Sequence, residues 1–143
     1  MLDATQIAAL IPHQGRMCLL ERVVAWDGEQ LIATTRTHRA PDHPLAHAGR
    51  LRALHLCEYG AQAMAVHGGL LAQRAGERPM PRLLVSLREI RLEVAYLETL
   101  SGELEIEARR LLADGASAQY RFSARHAGTL LAQGRAAILA QRP

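Results

Sequence analysis

The sequence predicts an α+β domain in which one antiparallel β-sheet wraps around one long central helix. Three observations carry that expectation. The run from Leu51 to Ala75 is apolar on almost every face, the signature of a buried helix. The segments after Pro79 alternate apolar and polar residues, as strands with one wet face do. Two strand-like runs joined by Asp27-Gly28, a hairpin signal, precede the helix. With 143 residues, the chain fits one domain, 1–143, with a real core.

Taken in order, Asp3 to Leu10 reads as a short amphipathic helix with Asp3 or Thr5 near its cap. Pro12 ends it, because the residue before a proline avoids helix. Residues 17–26 read as a largely buried strand, and 31–38 as its β-branched return. A loop with two prolines spans 40–49. The central helix follows over 51–75, closed by Gly76 and Pro79. Strands are expected at 83–94, 103–109, 118–124 and 130–140. In the third of these, Ala118, Tyr120, Phe122 and Ala124 share one face. Asp114-Gly115 and Ala127-Gly128 are the turns. Gly60, Gly68 and Gly69 disfavour helix by about 1 kcal/mol each against Ala. They imply close approach of sheet or helix to the central helix.

Composition excludes several function classes. Net charge is +3, and all 17 basic residues are arginine. They are scattered, and aromatics make up only 3%, against a nucleic-acid platform of basic stripe and stacking rings. Arg52, His55, Glu58, Gln62 and His67 interrupt the central helix, against a membrane span. The N-terminus lacks a basic n-region and a cleavage site, so a cytoplasmic location is expected. Cys18 and Cys57 read as core thiols. The seven histidines and two cysteines show no metal-ligand spacing. GxSxG, GxGxxG and the P-loop are absent, against serine hydrolases, dinucleotide enzymes and NTPases.

The first residue to question is Glu58, an acid in an apolar helix, with Gln62 one turn later on the same face. Buried carboxylates are costly unless bonded, paired or used. His and a carboxyl group are natural acid–base partners near neutral pH. Histidines 13, 43 and 47 precede the helix in the chain, while His55 and His67 read as helix-surface or interface residues. His43 reads as a solvated loop residue. His38 and His126 sit at strand ends and carry no motif.

Two motifs resemble a known family. Ile11, Pro12 and His13, a short spacer, then Leu19, Leu20, Glu21, Arg22 and Val23 resemble the opening of bacterial β-hydroxyacyl-ACP dehydratases of the FabA/FabZ type. Glu58, Ala61 and Gln62 match the acid, small residue and Gln of that family's central helix. The resemblance implies the hot-dog fold. The family's His-Phe-Pro-Gly stretch is not reproduced: the chain has DHPLAHAGRL over 42–51. It therefore looks like a divergent branch, similar to the dehydratases of aryl-polyene pathways.

The resemblance implies removal of water from a 3-hydroxyacyl thioester carried by an acyl carrier protein, or by CoA, in fatty-acid or polyene biosynthesis. Glu58 is then the catalytic acid, with His13 the leading base and His47 the second. Gln62 would fix the Glu58 carboxyl group by an i,i+4 contact. Backbone amides around Gly49 to Arg52 would polarise the thioester carbonyl. Gly49, Arg50, Leu54 and Gln62 are the expected substrate contacts. No metal or organic cofactor is required. A homodimer, or a heterodimer with another hot-dog subunit, is implied, since a small sheet leaves an edge open. Two other functions stay open: a non-catalytic hot-dog subunit that partners an active dehydratase, and a hot-dog acyl thioesterase.

Overall fold

A computed structural model describes residues 1–11, 15–78 and 82–140. Six strands form one sheet, and every neighbouring pair is antiparallel. They are β1 (Arg22–Trp26), β2 (Gln30–Thr35), β3 (Arg82–Leu92), β4 (Leu104–Asp114), β5 (Ser117–His126) and β6 (Thr129–Ala140). Their order is β1-β2-β4-β5-β6-β3, so β1 and β3 are the edges. A short helix, α1 (Ala4–Ala8), precedes the sheet, and the central helix α2 spans Leu56–Arg74.

Strands β4 and β5 alternate as the sequence predicts. On β4, Leu104, Ile106 and Ala108 are buried; on β5, Ala118, Tyr120, Phe122 and Ala124 are buried. These faces meet α2, most of whose residues are buried, including Tyr59, Ala63, Met64 and Val66. Close packing explains one of the helix glycines. A Cβ at Gly60 would meet Phe122 Cγ at 2.6 Å, so β5 closes on α2 only because position 60 has no side chain. A methyl group at Gly69 would stand 3.3 Å from the Leu10 side chain.

Two boundaries differ from the sequence reading. The strand expected from 17 begins only at Arg22, and Gly15–Met17 form a 3-10 turn instead. Side chains satisfy this stretch of backbone in place of a ladder. Leu19 N–H donates to Gln62 Oε1 at 2.9 Å, and Leu19 O accepts from the Thr35 and Thr37 hydroxyls at 2.6 and 2.7 Å. The helix expected from 51 starts with a 3-10 turn at Ala53–His55 and becomes α-helical at Leu56. Asp3 caps α1 through a reciprocal box with Gln6. Asp27 Oδ1 accepts from Glu29 and Gln30 N–H and closes the first hairpin, which holds its carboxyl below the usual range. Cys57 is buried as predicted, whereas Cys18 is only half-buried; burial pushes both thiols up.

Candidate functional site

Glu58 lies in the first turn of α2, half-buried. Gln62 is 1% exposed and positions it. Its Nε2 donates to Glu58 Oε1 at 3.3 Å and to Met17 O at 2.7 Å, while its Oε1 accepts from Leu19 N–H. The amide thus uses donors and acceptor together, tying the acid to segment 17–19, which leads into β1. The i,i+4 contact expected from the sequence is present. Arg16 extends the anchor: Nη1 donates to Asp42 O at 2.7 Å and pairs with the Asp42 carboxylate at 3.3 Å. His13, the leading base of the sequence reading, lies outside the described residues. The backbone at Met17, four residues beyond it, is held by the same Gln62 that touches Glu58.

A second cluster gathers the other predicted residues at the entrance to the helix. His47 is exposed and opens a tight turn closed by Arg50, with Arg50 N–H to His47 O and His47 N–H to Arg50 O both 2.9 Å. Ala48 and Gly49 both take positive φ there, so Gly49 is a turn residue before it is anything else. Arg50 stacks over the Tyr96 ring at 3.6 Å and pairs with Glu98 at 3.5 Å. Leu51 N–H donates to Glu98 Oε1 at 2.8 Å, and Ala53 N–H to Ala95 O at 2.9 Å. The amides of Arg50, Leu51 and Ala53 are therefore engaged within the chain, and the expected carbonyl-polarising donors near Gly49 to Arg52 are reduced accordingly. Leu54 is 55% exposed, an apolar residue presented one turn before Glu58.

His43 corrects the sequence reading, which placed it in solvent: it is 5% exposed. Two reverse turns fold its loop inward, with His43 N–H to Ala40 O at 3.2 Å and Ala46 N–H to His43 O at 3.1 Å. The buried Tyr59 hydroxyl is the physical reason, since it requires partners. Leu45 N–H donates to His43 Nδ1 at 3.0 Å, so the ring proton sits on Nε2 and donates to Tyr59 Oη at 3.0 Å. Tyr59 Oη then passes the chain to Thr37 Oγ1 at 2.9 Å, and Thr37 to Leu19 O. Desolvation lowers the His43 pKa and pushes Tyr59 up to about 12. Both nitrogens of His43 are thus structural, and its loop is locked against α2.

His67, read from the sequence as a helix-surface or interface residue, is fully buried within the chain. Its Nε2 donates to Asp27 O at 2.8 Å and its Nδ1 accepts from Tyr120 Oη at 2.6 Å. His38 is buried too and donates Nε2–H to Leu100 O at 2.7 Å, leaving Nδ1 with no hydrogen-bond partner. Among the described residues, no group of three or more His, Cys, Asp or Glu side chains comes together to hold a metal ion. Among them, no helix is long and apolar enough to cross a membrane.

The family profile of ApeP-like proteins (ApeP dehydratase) matches residues 5–142. The chain belongs to the ApeP-like dehydratase family. That agrees with the divergent, aryl-polyene-type branch expected from FabA/FabZ-like motifs without the His-Phe-Pro-Gly stretch. The fold is the hot-dog fold, as solved structures also show. One is the dehydratase heterocomplex ApeI:P from Xenorhabdus doucetiae, with TM-score 0.87 and 23% identity over 99% of this chain and 93% of that one. A mutant thioesterase from Pseudomonas aeruginosa follows the same fold, with TM-score 0.68 and 14% identity over 97% and 94% of the two chains. AziG from S. sahachiroi gives TM-score 0.58 and 18% identity over 94% and 99%. At these identities the likeness is one of fold. A search of curated proteins finds no match.

Proposed function

We propose that this ApeP-like protein dehydrates a 3-hydroxyacyl thioester borne by an acyl carrier protein or by CoA. The observation that carries the reading is the Gln62 bridge, which holds Glu58 against segment 17–19. In the proposed step a base removes the C2 proton. The C2–H electrons form the C2=C3 double bond, and the C3–O bond breaks. Glu58 gives its proton to the departing hydroxyl, which leaves as water. His13 is the first choice for the base and His47 the second. Leu54 at the helix entrance is the proposed apolar contact for the acyl group, with Gly49 and Arg50 beside it. The reaction needs no metal or organic cofactor.

The working unit is proposed to be a pair of hot-dog subunits joined through β3. The two sheet edges are unlike. β1 is five residues long, and Leu2 exchanges hydrogen bonds with Val23 along it. β3 is eleven residues long and exposes Leu83, Val85, Leu87 and Leu92. A long apolar edge is the one that pairs.

One observation favours a second reading, that of a non-catalytic subunit partnering an active dehydratase. The family's His-Phe-Pro-Gly stretch is missing, and His43, which precedes Pro44, has both nitrogens engaged within the chain. Mass spectrometry of a 3-hydroxyacyl-carrier thioester incubated with the protein, alone and with a second hot-dog subunit, separates the readings. Loss of water caused by the protein alone and abolished in Glu58→Gln supports the first. Water loss only with the second subunit, unchanged by Glu58→Gln, supports the second.

A further inference from the structure

The hydroxyl of Tyr59 has no part in the dehydration step, yet it joins two segments on which that step depends. Tyr59 follows Glu58 on α2 and is fully buried. Successive helical residues point to different faces, so it does not share the face of Glu58 and Gln62. Its hydroxyl meets His43 Nε2 at 3.0 Å and Thr37 Oγ1 at 2.9 Å. The ends of this chain fix the direction of every proton in it. At one end Leu45 N–H can only donate, and it donates to His43 Nδ1 at 3.0 Å. At the other end Leu19 O can only accept, and it accepts from Thr37 Oγ1 at 2.7 Å. Between them His43 Nε2–H donates to Tyr59 Oη, and the Tyr59 O–H donates to Thr37 Oγ1. Burial pushes the Tyr59 hydroxyl up to about 12, so it keeps its proton and fills both roles.

The chain closes into a ring. Arg16 Nη1 donates to Asp42 O at 2.7 Å and pairs with the Asp42 carboxylate at 3.3 Å. Asp42 adjoins His43, and Arg16 lies three residues before Leu19. Loop 42–47 is thus fastened to segment 16–19 twice, at the surface through Arg16 and in the interior through Tyr59 and Thr37. The same segment carries the atoms that Gln62 holds, Met17 O and Leu19 N–H, and Gln62 in turn donates to Glu58. His47 stands at the end of the loop, and His13 precedes Arg16 by three residues in the chain. One hydrogen-bonded network therefore joins the acid, the loop of one candidate base and the segment that follows the other.

We infer that Tyr59 is a positioning residue for the proposed dehydration, its hydroxyl holding loop 42–47 and segment 16–19 in register around Glu58. The inference rests on the dehydration reading and holds whichever histidine is the base. Arg16 and Asp42 are both exposed, and an exposed ion pair orders its segments weakly. The buried chain orders them strongly, because each of its members is satisfied. Tyr59→Phe removes one oxygen, keeps the ring, and cuts the interior link between the two segments. Misplacing a reacting group by about 1 Å costs on the order of 10²-fold in rate.

The test measures turnover of a 3-hydroxyacyl-carrier thioester by the full chain, with a second hot-dog subunit where the wild type requires one. Tyr59→Phe is compared with Thr37→Val, which cuts the next link, with the double variant, and with Ile138→Val. Ile138 pairs in register with Ala118 and lies outside the network, so its variant controls for lost stability. Tyr59→Phe and Thr37→Val are each expected to lower kcat at least about tenfold with KM changed by less than about twofold. The double variant should fall no further than the worse single, and Ile138→Val should keep its kcat. In the NMR spectrum of Tyr59→Phe the Gln62 side-chain amide and the Leu19 amide should both shift. A wild type that removes water while Tyr59→Phe keeps its kcat overturns the inference alone, as do unmoved Gln62 and Leu19 signals. Multiplied losses in the double variant also overturn it, and so does an equal kcat loss in Ile138→Val at an equal shift of the unfolding midpoint. No water loss by the wild type under any pairing overturns the dehydration reading and the inference together.

Discussion

Gln62 Nε2 lies 3.3 Å from Glu58 Oε1, and the same amide holds Met17 O and Leu19 N–H. The residue that orients the acid is therefore also the residue that fastens the first segment of the chain to the central helix. Gln62→Leu orphans the half-buried Met17 carbonyl and the buried Leu19 amide. Leaving each unsatisfied costs about 1–3 kcal/mol, so the variant should lose a large part of that sum in urea unfolding. Unchanged stability would show that segment 17–19 is held by other contacts.

Glu58→Gln keeps shape and removes ionisation and proton donation. If Glu58 carries the acid step, turnover should fall by about 10²–10⁴-fold with little change in the unfolding midpoint. His13→Asn and His47→Asn then divide the base role, because only the true base should cause a comparable loss. Stopped assays of water loss on each variant read this directly.

Acid should unfold the protein through its buried histidines. Burial lowers the pKa of His38, His43 and His67, each held in the neutral Nε2–H form. A histidine whose folded pKa lies below its unfolded value binds its proton more readily when unfolded. Its contribution is thus complete above the unfolded pKa of about 6.5 and is lost as pH falls from there through the lower folded pKa. The unfolding free energy should be flat near pH 7–8 and fall below about pH 6.5, with proton uptake on unfolding. His67→Gln should flatten part of the slope. A stability that is level between pH 7 and 5 would contradict the neutral, buried assignment.

Gly60→Ala should be costly in spite of alanine's better helix propensity. The added methyl meets Phe122 at 2.6 Å. Overpacking of this kind costs about 1–3 kcal/mol, and Phe122→Leu should recover part of it in a double-mutant cycle. Additive effects of the two substitutions would mean that the helix shifts away from β5 freely.

If β3 is the pairing edge, a charge placed in its exposed apolar run should break the assembly. Val85→Lys should shift the species seen by light scattering towards the monomer, while Leu111→Lys, on β4 away from the edge, should not. A parent protein that is monomeric at micromolar concentration would remove the paired-subunit proposal.

What the sequence showed and what it hid follow from range. The faces Leu104-Ile106-Ala108 and Ala118-Tyr120-Phe122-Ala124 were legible, because period-two alternation is local. Glu58 and Gln62 were legible for the same reason, one helical turn apart. His43 was misread as solvated, and His67 as a helix-surface or interface residue, because their partners are distant in sequence: Tyr59 lies 16 residues from His43 and Tyr120 lies 53 from His67. The apolar run at Met17 to Glu21 resembled strand, but Gln62, Thr35 and Thr37 supply the hydrogen bonds of Met17 and Leu19, and no periodicity announces such side-chain partners.

If Glu58, held by Gln62, does acid–base work in dehydration, mass spectrometry of a 3-hydroxyacyl-carrier thioester reads it most directly. The wild-type protein and Glu58→Gln are each incubated with the thioester, alone and with a second hot-dog subunit. Wild type should remove one water, a loss of about 18 Da, and the variant should do so at least about 100-fold more slowly. Equal rates for the two proteins, or no water loss under any pairing, would contradict the role of Glu58.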